Sequence, residues 1–244
     1  MEISANKRTV EGKKVILLGA SSGIGLATAK AAAAEGAKVV IVSGNRQRID
    51  QALEGLPENS EGYAIDLSKE DNIREFFGRT GSFDHLVFTA GDNLPINYTG
   101  QTDIETARHF LDLRFWGAFA AVKYGAPHIN KGGSICLTSG IAGRRPLPGW
   151  SVIAALCGAM ESLVRALAVE LAPIRVNSIV PGVVKTNLWN SMPEADQLLF
   201  SIGETLPVRQ VGEAEDVAQA FLYLMKQPYS TGQNIVLDGG ATLI

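Results

Sequence analysis

The sequence predicts a doubly wound α/β fold, in which helices cover both faces of a seven-stranded parallel sheet. Its 244 residues, 46% of them hydrophobic, are enough to bury a full core as one domain over residues 1–244. Short apolar segments alternate with helical ones along nearly the whole chain, and a glycine-rich turn follows the first apolar segment.

Seven segments are predicted as strands because they are short runs rich in Val, Ile and Leu. Most of these runs are continuously apolar, as strands covered on both faces must be. They are residues 13–20, 37–44, 61–67, 83–91, 133–140, 174–182 and 233–240. Helices are predicted at residues 23–36, 47–54, 69–79, 103–126, 152–172 and 213–226. This alternation implies right-handed crossovers between parallel strands.

One long segment, residues 186–212, contains no predicted strand and carries Pro193 and Pro207. It follows the carboxyl end of a predicted strand, where a substrate-covering lid is expected.

Composition and charge exclude several classes of function. A formal net charge of −3, with no dense run of Lys and Arg, gives no footprint for nucleic acid. No apolar stretch is expected to reach the roughly 18 residues that a membrane span needs. The first residues, MEISANKRTVEGKK, lack the apolar core of an export signal. Cys136 and Cys157 are expected to be free, buried thiols, which fits a reducing cytoplasm.

The turn LGASSGIG, residues 18–25, joins the first predicted strand to the first helix. Its glycines allow a tight turn and a close approach of the backbone to a pyrophosphate, whose charge is then stabilised by the helix N-terminus. A glycine triplet alone is weak evidence, and a purely structural turn is the alternative. Because this one follows a strand and opens an alanine-rich helix, it predicts a dinucleotide-binding site.

The end of the second predicted strand indicates which dinucleotide binds. An NAD site usually has an acidic residue there, which accepts a hydrogen bond from the ribose 2′-hydroxyl. Here the chain reads Ser43-Gly44-Asn45-Arg46, with no carboxylate before Asp50. A hydroxyl, an amide and a guanidinium suit a 2′-phosphate, which favours NADP(H). The alternative is a solvated arginine at the start of a helix.

Together these motifs resemble those of the short-chain dehydrogenase/reductase family. The spacing of Gly19, Gly23 and Gly25, the pair Asp66-Leu67 and the triplet Thr89-Ala90-Gly91 carry the resemblance, with GGSICLTSGIAG, LAVELAPIRVNSIVPGVVKT and LDGG further along. It covers essentially the whole chain and implies a Rossmann-type fold. The residues predicted to bind NADP(H), from the motifs and the resemblance together, are Gly19, Ser21, Ser22, Gly23, Ile24, Gly25, Ser43, Asn45, Arg46, Asp66, Leu67, Ala90, Gly91, Pro181, Gly182, Val184 and Thr186.

The resemblance does not extend to the catalytic tetrad of the family. Alignment through AVELAPIRVN places the family's tyrosine and lysine at Ile153 and Cys157, its serine at Gly140, and its helix asparagine at Arg114. In the family the tyrosine donates a proton, and the lysine lowers the pKa of that tyrosine. Isoleucine can do neither, so the segment GWSVIAALCGAM is predicted to supply no proton donor.

Arg114 and Ser139 are predicted as the catalytic residues of this altered site. Arg114 is expected to point into the cleft, where its charge orients a carboxylate or a water and stabilises developing negative charge. The alternative is a salt bridge to Asp112 or Glu170. Ser139 keeps the first place of the family's Ser-Ser pair. Cys157 lies among small residues without an activating partner in the sequence, and is predicted to be a packing residue.

Arg144, Arg145 and the turn PLPGW (146–150) follow the fifth predicted strand, at the rim where substrate contact is expected. Trp150 either covers a flat substrate or caps the core. A similar arginine and a Pro-x-Pro-Gly-Trp turn occur in an atypical subgroup of the family that includes fungal indole-alkaloid imine reductases, where an aspartate replaces Leu147. The histidines, His85, His109 and His128, are scattered, and no metal site is predicted.

The missing proton donor narrows the predicted chemistry. Ketone reduction needs a proton for the alkoxide, whereas iminium reduction needs only hydride and an activated alkene gives an enolate. We therefore expect an NADP(H)-dependent oxidoreductase that reduces a small carbonyl, imine, iminium or activated alkene. The alternative is a catalytically inactive NADPH-binding protein with a sensing or assembly role. Small and apolar residues in 103–126 and 152–172 predict a homotetramer, or failing that a dimer.

Overall fold

The computed structural model describes residues 8–190 and 194–244, and its main element is a seven-stranded parallel sheet. The spatial order of its strands is β3-β2-β1-β4-β5-β6-β9. The strands are β1 (Lys14–Leu18), β2 (Lys38–Ser43), β3 (Glu61–Ala64), β4 (Phe83–Phe88), β5 (Ile129–Thr138), β6 (Arg175–Pro181), β7 (Val184–Lys185), β8 (Gly212–Glu213) and β9 (Asn234–Leu237). The predicted doubly wound sheet is confirmed, with strand ends that differ from the predicted ones by a few residues.

Helices cover both faces of this sheet, as predicted. They are α1 (Gly23–Ala34), α2 (Arg46–Leu53), α3 (Glu70–Thr80), α4 (Ile104–Leu111), α5 (Gly117–Gly125), α6 (Ser151–Glu170), α7 (Ala195–Thr205) and α8 (Ala214–Lys226). Side chains of α3, α5 and α6 form the core on one face, and those of α1, α2 and α8 form the core on the other.

The central strand β1 shows why its sequence must be apolar throughout. Ile16 and Leu18 belong to the core beneath α5 and α6, whereas Val15 and Leu17 belong to the core beneath α1 and α8. All four side chains are fully buried. Alternate residues of a strand point to opposite faces, so a sheet covered on both sides needs apolar residues at every position.

The helix predicted over residues 103–126 is interrupted. It consists of α4, a π-helical turn over Asp112–Trp116, and α5. The widened turn occurs where the backbone meets the loop after β3, since a Cβ on Gly117 would lie 2.5 Å from the Leu67 carbonyl oxygen. Single π turns within α-helices are frequent at functional sites, and this one carries Arg114.

The expectation that residues 186–212 contain no strand is wrong at the end of that segment. Gly212 begins β8, which pairs with β7 in a separate two-stranded parallel sheet. The segment also forms α7, and Trp189 anchors its start by donating a hydrogen bond from Nε1 to the Val184 carbonyl at 2.8 Å. Residues 191–193, which include the predicted Pro193, lie outside the described residues.

Helix α6 is long and apolar enough to cross a membrane by length and composition alone, contrary to the expectation from the sequence. One such helix is weak evidence, because core helices meet the same criteria. In this structure Ile153, Met160 and Val164 of α6 are buried in the core against the sheet. Its composition is therefore explained by packing within the protein.

Candidate active site

All the predicted cofactor-binding residues lie at or just beyond the carboxyl ends of the parallel strands. The chain runs outward from β1 to β2 and β3 on one side, and from β4 to β5, β6 and β9 on the other. The direction in which successive strands are added to the sheet therefore reverses between β1 and β4. A crevice at this switch point is where doubly wound folds bind nucleotides.

The glycine-rich turn after β1 is packed against the turn after β4. Gly19 has φ +90°, and a Cβ there would overlap the backbone of Ala90. A Cβ on Gly25 would lie 2.5 Å from the Thr89 hydroxyl oxygen, which itself donates to the Leu18 and Gly19 carbonyls at 3.2 Å. Both positions therefore require glycine, which brings the start of α1 close to the switch point.

The N-terminus of α1 is available to an anion. Ser22 is its N-cap, yet its side chain makes no capping hydrogen bond, and the first turn carries no acidic residue. The helix-end N–H groups and the helix dipole therefore favour a negatively charged group such as a pyrophosphate. With the glycine cradle, these residues fit a dinucleotide cofactor.

A second segment from the other half of the sheet meets α1 here. Gly23 has φ +53°, and a Cβ on it would lie 3.4 Å from the Thr186 side chain. The predicted residues Pro181, Gly182 and Val184 lead from β6 to that threonine. A cavity of about 390 Å³ borders Gly23 and Thr186 and extends along α1. The structure thus brings these two predicted cofactor segments together.

The residues predicted to bind a 2′-phosphate lie together at the end of β2 and the start of α2. The Ser21 hydroxyl donates to the Ser43 hydroxyl at 2.9 Å. Asn45 is the N-cap of α2, and its side-chain oxygen accepts from the Arg48 backbone N–H at 2.9 Å. Gly44, Asn45 and Arg46 of this turn are exposed and Ser43 is half-buried, so the turn is accessible to a 2′-phosphate.

Arg46 is engaged by its own helix and by β3 in this structure. Its guanidinium donates from Nε to Asp50 at 3.0 Å and from Nη1 to the Gly62 carbonyl at 3.2 Å, and Nη2 also donates to Asp50. The Asp50 carboxylate therefore competes for the guanidinium that a 2′-phosphate would use. Sequence reasoning did not identify this competition.

The turns after β3 and β4 hold the remaining predicted cofactor residues. Leu67 is buried, and the Asp66 carboxylate accepts from the Ser68 backbone N–H at 2.9 Å and from its hydroxyl at 2.6 Å. The Ser68 hydrogen bonds lower the pKa of Asp66, against the effect of partial burial. Ala90 is buried in the core, and Gly91 follows it on the surface.

Arg114 lies under the turn after β4, with its side chain only 20% exposed. Nη2 donates to the Asp92 carbonyl, Nε lies 3.8 Å from the Asp92 carboxylate, and Cζ stacks 4.9 Å from the centre of the Phe110 ring. A Cβ on Gly91 would overlap the guanidinium. The salt bridge predicted as an alternative, to Asp112 or Glu170, is therefore replaced by a contact with Asp92.

The Arg114 guanidinium is buried without full hydrogen bonding. Among the described residues, its Nε has no hydrogen-bond partner. Burial lowers the pKa of Arg114, while the charges of Asp92 and Cys157 oppose that change. The Asp92 carboxylate, 3.8 Å from Nε, pairs with this charge without a hydrogen bond, so burial of the guanidinium still costs stability. A ligand bound beside Arg114 Nε would supply the missing hydrogen-bond acceptor.

Ser139, Gly140 and Cys157 lie together, and the charge of Arg114 acts on the Cys157 thiol. The Ser139 hydroxyl donates to the Cys157 carbonyl at 3.0 Å, which leaves its oxygen lone pairs as the group that a substrate would meet. A Cβ on Gly140 would lie 3.2 Å from the Cys157 sulfur. The thiol therefore occupies space that a serine at position 140 would need.

The Cys157 thiol is buried, and burial raises its pKa, against the opposing effects of Ser139, the Gly143 N–H and Arg114. A neutral thiol is a poor nucleophile and a poor acid at neutral pH. Burial raises the pKa of Cys136 to about 12. The prediction of two free, buried thiols is confirmed.

The two arginines expected at the substrate rim are bound to the protein instead. Arg144 donates from Nε and Nη2 to the two oxygens of Glu161, at 2.9 to 3.2 Å. Arg145 donates from Nη1 to the Ala241 carbonyl. Sequence reasoning missed Glu161, because a glutamate on an amphipathic helix gives no sign of a distant arginine. These contacts assign both arginines a role in fastening the loop after β5.

Trp150 is half-buried and packs against the core below α6, which favours the core-capping alternative. Near it, the Asn97 N–H donates to the Gly149 carbonyl at 3.0 Å. This hydrogen bond joins the loop after β4 to the turn before α6. Ile153 lies one turn into α6 and is buried.

Comparison with known proteins agrees with this geometry. The family model described as enoyl-(acyl carrier protein) reductase matches residues 19–242. The chain is 36% identical to the short-chain dehydrogenase/reductase ATR9 of Stachybotrys chlorohalonatus, over 96% of this chain and 99% of that protein. The chain belongs to the short-chain dehydrogenase/reductase family. Another member, fsr5 of Gibberella fujikuroi, is 31% identical over 95% of each chain.

Solved structures of family members have the same fold. A small-chain dehydrogenase crystallised in complex with NADPH is 36% identical and superposes with a TM-score of 0.86, covering 96% of this chain and all of the other. The reductase/Diels-Alderase MalC from Malbranchea aurantiaca is 28% identical, with a TM-score of 0.90 over 98% of this chain and all of MalC. This short-chain dehydrogenase/reductase is therefore an oxidoreductase by family, with a nicotinamide cofactor indicated by its relative.

Proposed function

We propose that this protein is an NADP(H)-dependent reductase with a non-standard active site. The observation that carries the proposal is the buried guanidinium of Arg114, near a neutral Cys157 thiol that fills the space beside Gly140. A fixed positive charge in the catalytic cleft stabilises electron density that arrives on a substrate, and it cannot donate a proton at neutral pH.

The cofactor would be held by three segments of the chain. The glycine turn and the start of α1 would take the pyrophosphate, Ser43, Asn45 and Arg46 would take the 2′-phosphate, and the segment from Pro181 to Thr186 would take the nicotinamide end. When bound, NADPH supplies hydride. The relative crystallised with NADPH supports the choice of NADP(H), as does the absence of a carboxylate in the Ser43–Arg46 turn.

The substrate classes follow from what the site residues can do. Arg114 can stabilise an enolate, or favour the loss of positive charge from an iminium, and Ser139 can accept a hydrogen bond through its oxygen. A ketone needs a proton in addition, and general-acid help is typically worth about a hundred- to ten-thousand-fold in rate. We therefore place iminium ions and activated alkenes ahead of simple ketones as substrates.

A screen of NADPH oxidation tests this proposal. The probes are a dihydroisoquinolinium ion, a cyclic enone and an aryl ketone of similar size. We expect turnover of the iminium or the enone to exceed that of the ketone by at least about tenfold. Fastest turnover of the ketone contradicts the proposal, and tight NADPH binding without turnover of any probe favours the non-catalytic alternative.

We also propose that the protein assembles with itself in the cytoplasm, as a tetramer or a dimer. Trp116 and Phe119 near the π turn and Val169 on α6 are exposed apolar side chains that an interface would cover. Light scattering at micromolar concentration tests assembly, and a monomer contradicts it.

A further inference from the structure

Asp92 brings a carboxylate to the mouth of the candidate active site. It directly follows Gly91 after β4, and its side chain is 44% exposed. Its main-chain carbonyl accepts a hydrogen bond from Arg114 Nη2, whereas its carboxylate lies 3.8 Å from Arg114 Nε, beyond hydrogen-bond range. The backbone therefore fixes Asp92 against Arg114. The carboxylate forms a long ion pair with the guanidinium, without a hydrogen bond to it, and its exposed oxygens can accept from a ligand.

Three other acidic side chains at this edge already accept hydrogen bonds. Glu161 pairs with Arg144, Asp66 accepts from Ser68, and Asp238 accepts from the backbone of Gly240 and Thr242. Within the described part of the chain, no hydrogen bond to the Asp92 carboxylate is present.

Arg114 makes this carboxylate necessary for a cationic substrate. A guanidinium beside the reacting atoms repels an iminium ion before hydride arrives. A carboxylate next to the guanidinium offsets it. As the C=N bond is reduced the substrate loses its charge, so the repulsion by Arg114 is relieved in the transition state.

We propose that Asp92 binds the cationic nitrogen of the substrate, and that the substrate class is iminium ions; this rests on the function proposed above. Hydride from NADPH forms a C–H bond at the iminium carbon, the C=N π pair becomes the nitrogen lone pair, and the products are an amine and NADP⁺. The iminium is reduced, NADPH is oxidised, and no proton leaves the protein. Asp92 stays a carboxylate throughout.

The two charged residues then have different kinetic effects. Asp92 stabilises the cationic ground state more than the transition state, in which that charge is disappearing, so its removal raises KM and does not lower kcat. Arg114 acts on the transition state, so its removal lowers kcat.

The test uses the full-length protein saturated with NADP⁺ and a non-reducible cation, N,N-dimethyltetrahydroisoquinolinium, titrated by calorimetry. We expect Asp92→Asn to weaken cation binding at least about tenfold, and the difference to shrink as salt is raised. A neutral ligand of the same shape should bind both proteins equally. Because Arg114 bonds the main chain of Asp92, the substitution leaves that hydrogen bond in place.

Asp71→Asn is the matched control, since it makes the same charge change at an 81% exposed side chain on α3. It should bind the cation as the wild type does. Equal binding by wild type and Asp92→Asn overturns the proposal, as does failure of the wild type to bind the cation. If Asp92→Asn does not fold, Asp92→Ser is measured in its place.

Turnover separates this proposal from the proposed function. With a dihydroisoquinolinium substrate, Asp92→Asn should raise KM at least about tenfold without lowering kcat. A loss confined to kcat overturns the role of Asp92. If the wild type turns over no probe, the proposed function fails, and cation binding still decides whether Asp92 recognises the charge.

Discussion

Replacing Arg114 by methionine should stabilise the fold while it impairs catalysis. The buried Nε lacks a hydrogen-bond partner among the described residues, and such a group costs about 1–3 kcal/mol. The substitution loses the hydrogen bond to the Asp92 carbonyl and the stacking on Phe110, together worth about 1 kcal/mol after solvent competition. Methionine fills the same space without a charge.

The expected balance is a gain of about 1 kcal/mol in the free energy of unfolding, which corresponds to a rise of roughly 2–4 °C in Tm for a chain of this size. Chemical denaturation followed by circular dichroism measures it. NADPH oxidation by the same sample should fall at least about tenfold. Residues that serve a reaction at the expense of stability behave in this way.

Arg144→Met is the control for this experiment, because it removes an arginine whose hydrogen bonds are made. It leaves the Glu161 carboxylate, 12% exposed, without its partner. Breaking a fully buried pair costs about 3–5 kcal/mol, and the partial exposure of Arg144 reduces the expected loss to about 2 kcal/mol. If Arg114→Met destabilises the protein as much as Arg144→Met does, the reasoning about Arg114 is refuted.

Three further predictions concern other residues. Burial, helped by the charge of Arg175, lowers the pKa of His85 to about 4, so on acidification the unfolded chain binds a proton at His85 before the folded protein does. As pH falls from 6.5 to 4, the wild type should therefore lose up to about 3 kcal/mol more stability than His85→Asn. Urea denaturation at several pH values measures this, and parallel pH profiles of the two proteins would refute it. Gly91→Ala places a Cβ on the Arg114 guanidinium and should reduce NADPH oxidation at least about tenfold, whereas the control Gly78→Ala, with open space around it, should not. Equal activities of these two variants contradict the position of Arg114. In fluorescence titrations NADPH should bind at least about tenfold more tightly than NADH. This preference should decrease in Arg46→Ala and increase in Asp50→Asn, which frees the Arg46 guanidinium. Equal affinities of the wild type for the two cofactors remove the basis for NADP(H).

Much of the fold was predictable because its determinants are local. Continuous apolar runs mark strands buried on both faces, and the glycine turn marks where the first strand meets its helix. Since the carboxyl ends of parallel strands share one edge, the same patterns also placed the predicted cofactor residues together. The strand ends shifted because hydrogen-bonding register, which the apolar pattern does not specify, decides them.

The details of the candidate site were less predictable because they depend on contacts between distant segments. The π turn that carries Arg114 forms where α5 meets the loop after β3, and the Arg114–Asp92 contact joins residues 22 positions apart. Arg144 was expected to meet substrate, yet Glu161 from α6 binds it. The packing role predicted for Cys157 needed only its small neighbours, and the structure buries the thiol against Gly140.

Turnover of the Arg114→Ala and Cys157→Ala variants tests the central claim most directly. Both are compared with wild type on a substrate found in the NADPH-oxidation screen, with NADPH affinity measured in parallel. We expect Arg114→Ala to lose at least about tenfold in kcat with nearly unchanged NADPH affinity, and Cys157→Ala to lose little. Full activity in Arg114→Ala together with an inactive Cys157→Ala would contradict the account and assign the catalytic role to the cysteine.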